Sequence, residues 1–97
     1  MNEKKTKIVA TMGPATNDHS VLSQMLDEGV NVCRINFSHG SYDEIQKTID
    51  LIKALRAEKN RSVAILADLQ GPKLRVGSMT DNAVELVNGA EIIMTTE

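Results

Sequence analysis

An α/β fold of parallel strands joined by helical crossovers is what the sequence predicts, on three observations. Three short β-rich runs, at residues 7–12 (KIVATM), from Val32 onward (VCRINFSHG) and at residues 62–67 (SVAILA), alternate with two segments whose apolar residues recur at helical spacing. Each β-rich run ends in polar or turn chemistry. The order β-α-β-α-β is that of parallel strands with crossover helices packed back on the sheet.

The first strand, residues 7–12, stops at Gly13-Pro14, which cannot continue a ladder comfortably. In the helix that follows, Val21, Leu22, Met25 and Leu26 form the apolar stripe, Asn17 or Asp18 is the cap, and Gly29 the stop. The second strand is the VCRINFSHG stretch. Ser41 to Glu44 has the spacing of a capping box, and Ile45, Ile49, Ile52 and Leu55 line a second helix reaching Glu58. The third strand, apolar almost throughout, is stopped by Asp68. Residues 69–77 (LQGPKLRVG) read as loop. Beyond them two runs flank Asn88-Gly89, the strongest short hairpin signal. This change of character predicts two units: residues 1–77 with the parallel strands, and residues 78–97 opening an all-β module. A lone hairpin is marginal in water, so the second unit stops early.

Composition narrows the function. A net charge of −2 with one Tyr and one Phe argues against nucleic acid as a partner, which would call for a basic patch and stacking aromatics. No apolar run approaches the roughly 20 residues that span a bilayer. The single cysteine, Cys33, excludes an internal disulfide and, with no signal-like N-terminus, points to a reducing cytoplasm. Cys33 falls on the apolar side of its strand and reads as a small core residue.

That second strand raises the functional question. Side chains alternate along a strand, so Cys33, Ile35 and Phe37 face one way while Arg34, Asn36 and Ser38 face the other. A solvated face would give the same alternation. In an open doubly wound sheet, helices cover both faces and strands tend to be apolar on both. In a closed (β/α)8 barrel, polar side chains near the C-terminal mouth meet the substrate. Gly13-Pro14, Ser38-His39-Gly40 and Asp68 with Gln70-Gly71-Pro72 end the three strands. The polar row Arg34, Asn36, Ser38 fits the barrel better, and because neighbouring parallel strands lie about 4.8 Å apart these three ends converge on one mouth, where functional groups belong.

The chemistry gathered there is recognition of phosphate or carboxylate. Arg34 and Arg75 each offer a planar fork of donors suited to bidentate oxyanion binding. Asn36, Ser38 and Asp68 supply the oxygen ligands of a hard cation. A cation beside such arginines suggests phosphoryl transfer, in which positioning and charge neutralisation carry most of the catalysis. No Walker glycine loop is present. His39 reads as a local hydrogen-bonding residue and His19, at a helix start, as surface.

These residues also carry a resemblance. KIVATMGPAT, NVCRINFSHGSYDE and ILADLQGPKLRVG resemble, in order and spacing, the start of the pyruvate kinase family, and the likeness covers essentially the whole chain. It implies the first three βα units of a TIM (β/α)8 barrel followed by the start of an all-β lid domain. It implies transfer of a phosphoryl group from phosphoenolpyruvate to ADP, giving pyruvate and ATP, in a cytoplasmic, homotetrameric enzyme. By the same resemblance Arg34 is a catalytic, substrate-contacting arginine and Arg75 a second arginine at the transferring phosphoryl group. Asn36, Ser38, Asp68 and position 69, Leu69 here, match the monovalent-cation site. Pro14, Asn36, Phe37, Ser38, His39 and Arg75 border the nucleotide. The family's magnesium ligands lie downstream, and a 97-residue piece is expected to be inactive alone. The alternative is a free-standing, non-catalytic phosphate-binding or interaction module built on the same motif.

One departure stands out. Many relatives read D-T-K-G-P-E where this chain reads D-L-Q-G-P-K, so Leu69 lacks a hydroxyl and Lys73 replaces a glutamate. The ammonium of Lys73 can supply on a tether the positive charge that potassium would bring. The resemblance therefore implies that potassium is not required.

Overall fold

The computed structural model describes residues 4–96. Its centre is a three-stranded parallel sheet in the order β1-β2-β3, formed by β1 (Val9–Thr11), β2 (Val32–Asn36) and β3 (Ala64–Asp68). Helix α1 (His19–Glu28) joins the first pair and α2 (Tyr42–Glu58) the second. Strands adjacent in sequence are therefore adjacent in the sheet, each connected by one helix. Parallel barrels lay out their strands in this chain order, and the sheet is consistent with the start of one.

Local chemistry sets the helix boundaries. The Asp18 carboxylate accepts from the backbone N–H groups of Ser20 and Val21, so Asp18 rather than Asn17 is the cap of α1. Gly29 ends it at φ 110°, a left-handed conformation that costs glycine nothing. The expected capping box opens α2: Ser41 Oγ accepts from Glu44 N, and Glu44 Oε2 accepts from Ser41 N. The guanidinium of Arg61 donates to the carbonyl of Leu26, which also accepts from Gly29 N, and so ties the chain before β3 to the end of α1.

The core lies between the helices and one face of the sheet. It comprises Met12, Leu22, Leu26, Cys33, Ile35, Ile45, Ile52, Leu55 and Val63. Leu22 and Leu26 are one helical turn apart on α1; Ile45, Ile52 and Leu55 repeat along α2. Val21, expected on the stripe, is exposed, and Ile49 is only partly buried against the core. Thr48 was not expected inside. It is buried on the α2 stripe with its single hydroxyl proton shared between Asn17 Oδ1 at 3.0 Å and the Glu44 carbonyl at 3.1 Å. Near the other helix ends Lys59 Nζ pairs with Asp27 at 2.8 Å, so α1 and α2 run side by side.

Register assigns the two sheet faces. Val9, Val32 and Ala64 are level, as are Thr11, Arg34 and Leu66, and Asn36 is level with Asp68. These residues form the face away from the helices. Ala10, Cys33 and Ile65 occupy the opposite face. Of β2, only Cys33 and Ile35 are buried, as alternation requires. Strand β3 is less buried than its apolar sequence suggests. Leu66 is 47% exposed because it points to the open face and no further strand flanks β3 among the described residues.

Two expectations need correction. The hairpin around Asn88-Gly89 forms its turn, with Gly89 at φ 84° and Ala90 N donating to the Val87 carbonyl at 3.1 Å, but not its strands. No strand lies beyond Asp68 among the described residues. Two runs with no third strand or helix to pack on lack the burial that holds a ladder. The second correction shortens β2, which ends at Asn36 and leaves Ser38 in a turn.

Candidate functional site

All three strands are parallel, so Thr11, Asn36 and Asp68 stand at the same edge of the sheet. Arg34 ties this edge together. Its Nη1 donates to Thr11 Oγ1 at 3.0 Å on β1, and its Nη2 is hydrogen-bonded and ion-paired to Asp68 Oδ2 on β3. The guanidinium thus bridges both neighbours of its own strand, using two of its five N–H donors. Both partners of the ion pair keep solvent access, Arg34 with 30% and Asp68 with 45% of the side chain exposed. Such a pair contributes little to stability and remains available to a ligand.

Asn36 turns the chain. Its Oδ1 accepts from the backbone N–H of Ser38 at 2.9 Å, an Asx turn that stops β2 and places Ser38-His39-Gly40 above its end. Gly40 completes the reversal at φ 79°. The loop after β3 is anchored beside it. Phe37 N donates to the Asp68 carbonyl at 3.0 Å, and Gln70 Nε2 donates to the Phe37 carbonyl at 2.8 Å. After β1, a single 3₁₀ turn, Pro14–Thr16, is held by Thr16 Oγ1 accepting from Gly13 N at 2.8 Å.

Between these turns opens a cavity of about 220 Å³ lined by Thr11, Gly13, Asn36, His39, Glu44 and Thr48, among others. The sequence-predicted residues sort accordingly. Arg34, Asn36 and Asp68 share one face of the sheet, with Ser38 and His39 in the adjoining turn and Pro14 in the turn beside them. Phe37 packs partly against the core instead of facing the opening. Leu69 is 71% exposed, and Lys73 and Arg75 lie in exposed coil. No hydrogen bond or ion pair brings Arg75 to Arg34 among the described residues.

The oxygen donors fit a hard cation in type: the Asn36 amide oxygen, the Ser38 hydroxyl and the Asp68 carboxylate. The Asp68 oxygen taken by Arg34 is one of them, so a cation and the guanidinium would share that carboxylate. No three His, Cys, Asp or Glu side chains cluster among the described residues. Cys33 takes no part. It is fully buried, and burial pushes its thiol up from the ordinary 9.0.

Sequence reasoning missed Thr11. Within KIVATM it reads only as a strand former, and nothing short of the β1–β2 register places it beside Arg34.

Comparison with known proteins agrees with the fold. The family described as pyruvate kinase, barrel domain, matches residues 3–97. The chain is 47% identical over 94 residues to a pyruvate kinase of Thermotoga maritima, covering 97% of this chain and 20% of that protein. It is 44% identical over 92 residues to one of Thermococcus litoralis, covering 95% of this chain and 19% of the relative. A Staphylococcus aureus pyruvate kinase is 41% identical over 92 residues, 95% of this chain and 16% of its own length. The chain therefore spans a fifth or less of the curated relatives it matches. With a parallel sheet in chain order, helices on one face and a family match running nearly end to end, the chain belongs to the pyruvate kinase barrel-domain family.

Proposed function

We propose that this chain is the N-terminal part of a pyruvate kinase, which transfers a phosphoryl group from phosphoenolpyruvate to ADP and yields pyruvate and ATP. The observation that carries the reading is Arg34, standing on the open face at the strand ends between Thr11 and Asp68 in a chain of this family. Its unused N–H donors suit the phosphoryl oxygens, and Arg75 joins them once the loop after β3 closes on the substrate. Positioning and charge neutralisation are then the main catalytic demands.

The nucleotide lies against Pro14, Asn36, Phe37, Ser38, His39 and Arg75; the cavity lined by Asn36 and His39 supports this placement. Asn36, Ser38, Asp68 and the carbonyl of Leu69 hold the monovalent charge. A cation there offsets the negative charge of the reacting phosphates. Lys73, five residues beyond Asp68, supplies that charge in place of potassium. Magnesium is held by carboxylates contributed from outside this segment.

Residues 1–77 supply the first three strands and the first two crossover helices of the closed barrel, one helix short of three βα units, and a lid domain begins near Ser78. The intact enzyme is a cytoplasmic homotetramer. Among the described residues no helix is long and apolar enough to cross a membrane.

The test is a coupled assay of the full-length protein with phosphoenolpyruvate, ADP and magnesium, following pyruvate and ATP separately. Equal amounts of both products are expected. Pyruvate formed without ATP, or no turnover, would refute the assignment.

A further inference from the structure

We propose that Thr11 is a positioning residue for Arg34, its hydroxyl holding one arm of the guanidinium so that the rest of the fork faces an incoming phosphoryl group. This rests on the preceding reading of Arg34 as phosphoryl-binding. Thr11 is level with Arg34 in the β1–β2 ladder and on the same face, and its Oγ1 accepts from Arg34 Nη1 at 3.0 Å. It is the hydroxyl residue of β1, whose other members are Val9 and Ala10.

The two anchors of Arg34 differ in charge. Asp68 is an anion, and an anionic ligand brought to the same fork is repelled by it. The bond to Asp68 therefore competes with ligand binding. Thr11 is a neutral acceptor and carries no such conflict, so its bond can persist while the phosphoryl group is bound. An arginine has many rotamers, and a persistent neutral anchor spares the ordering that binding would otherwise require. Threonine is also a good strand former, which is the purely structural explanation for its presence. Valine preserves the branched shape and strand preference without the oxygen, and separates the two.

The experiment measures steady-state kinetics with phosphoenolpyruvate for four full-length variants: Thr11→Val, Thr11→Ser, Arg34→Lys and the Thr11→Val, Arg34→Lys double mutant. Thr11→Val should lower kcat/KM about tenfold, the scale of a lost hydrogen bond to a charged group. Thr11→Ser should stay within about twofold of wild type, because the acceptor is retained. In the Arg34→Lys background Thr11→Val should change kcat/KM by less than about twofold, since the fork it positions is gone. A wild-type kcat/KM in Thr11→Val, an equal loss in Thr11→Ser, or losses that multiply in the double mutant would each overturn the inference. If Arg34→Lys is impaired while Thr11→Val is not, only this inference falls. If Arg34→Lys is itself unimpaired, the reading of Arg34 falls as well.

Discussion

Arg34 on β2 and Asp68 on β3, 34 residues apart in the chain, are ion-paired diagonally across the open face of the sheet. The residue level with Arg34 is Leu66, so the guanidinium reaches one pleat toward the strand ends. This tilt puts the positive charge where the three strands stop. Because the pair is half-exposed, it can exchange its carboxylate for a ligand anion at small cost in stability.

Arg34→Lys is therefore expected to harm catalysis and spare the fold. Lysine keeps the charge but loses the fork, which should cost on the order of 2 to 4 kcal/mol of transition-state binding. Kinetics and melting temperature of the full-length enzyme check this together. A large fall in kcat/KM with an unchanged melting temperature is the expected pair of results.

Lys73 should make the rate independent of potassium. In tetramethylammonium buffer with magnesium, adding potassium should leave the rate flat, while the Leu69→Thr, Lys73→Glu double mutant should acquire a potassium requirement. A tenfold or greater rise in the wild-type enzyme, about 1.4 kcal/mol in barrier height, would contradict the assignment of Lys73 as a tethered cation.

Truncating Ile52, fully buried between α2 and the sheet, removes contacts that no neighbour can replace. Ile52→Ala should cost about 2 to 5 kcal/mol in urea unfolding. Ser41→Ala, which removes the α2 cap, should cost about 0.5 to 2 kcal/mol. A smaller loss at Ile52 than at Ser41 would place the core elsewhere.

Cys33 should be inert to thiol reagents in the native protein at neutral pH and react on unfolding. Burial raises its thiol above 9.0 in the folded state, so the unfolded chain loses that proton first as pH rises. The thiol's contribution to stability is thus complete below the unfolded value and declines through alkaline pH. Denaturant titrations at pH 7 and pH 10, comparing wild type with Cys33→Ala, should show the larger alkaline loss where the thiol is present.

Features governed by near neighbours in sequence were legible without coordinates. The cap of α1, narrowed to Asn17 or Asp18, the Gly29 stop and the Ser41–Glu44 capping box each depend on groups within a few residues of one another. The polar face of β2 was legible too, because alternation needs only one strand. What register decides was not. Thr11 beside Arg34, and Asp68 diagonal to it, require knowing how three strands slide past one another. Thr48 escaped because a polar residue on an apolar stripe reads as exposed until its partners, Asn17 and the Glu44 carbonyl, are seen. Asn88-Gly89 encodes a turn locally, but a turn does not supply the packing surface that strands need.

Whether the strand ends around Arg34 bind the phosphoryl group is decided by a crystal structure of the full-length protein with phosphoenolpyruvate and magnesium. Arg34 N–H groups are expected within about 2.7 to 3.2 Å of phosphoryl oxygens, with Nη1 still on Thr11. Phosphoenolpyruvate bound elsewhere, with Arg34 still locked between Thr11 and Asp68, would contradict it.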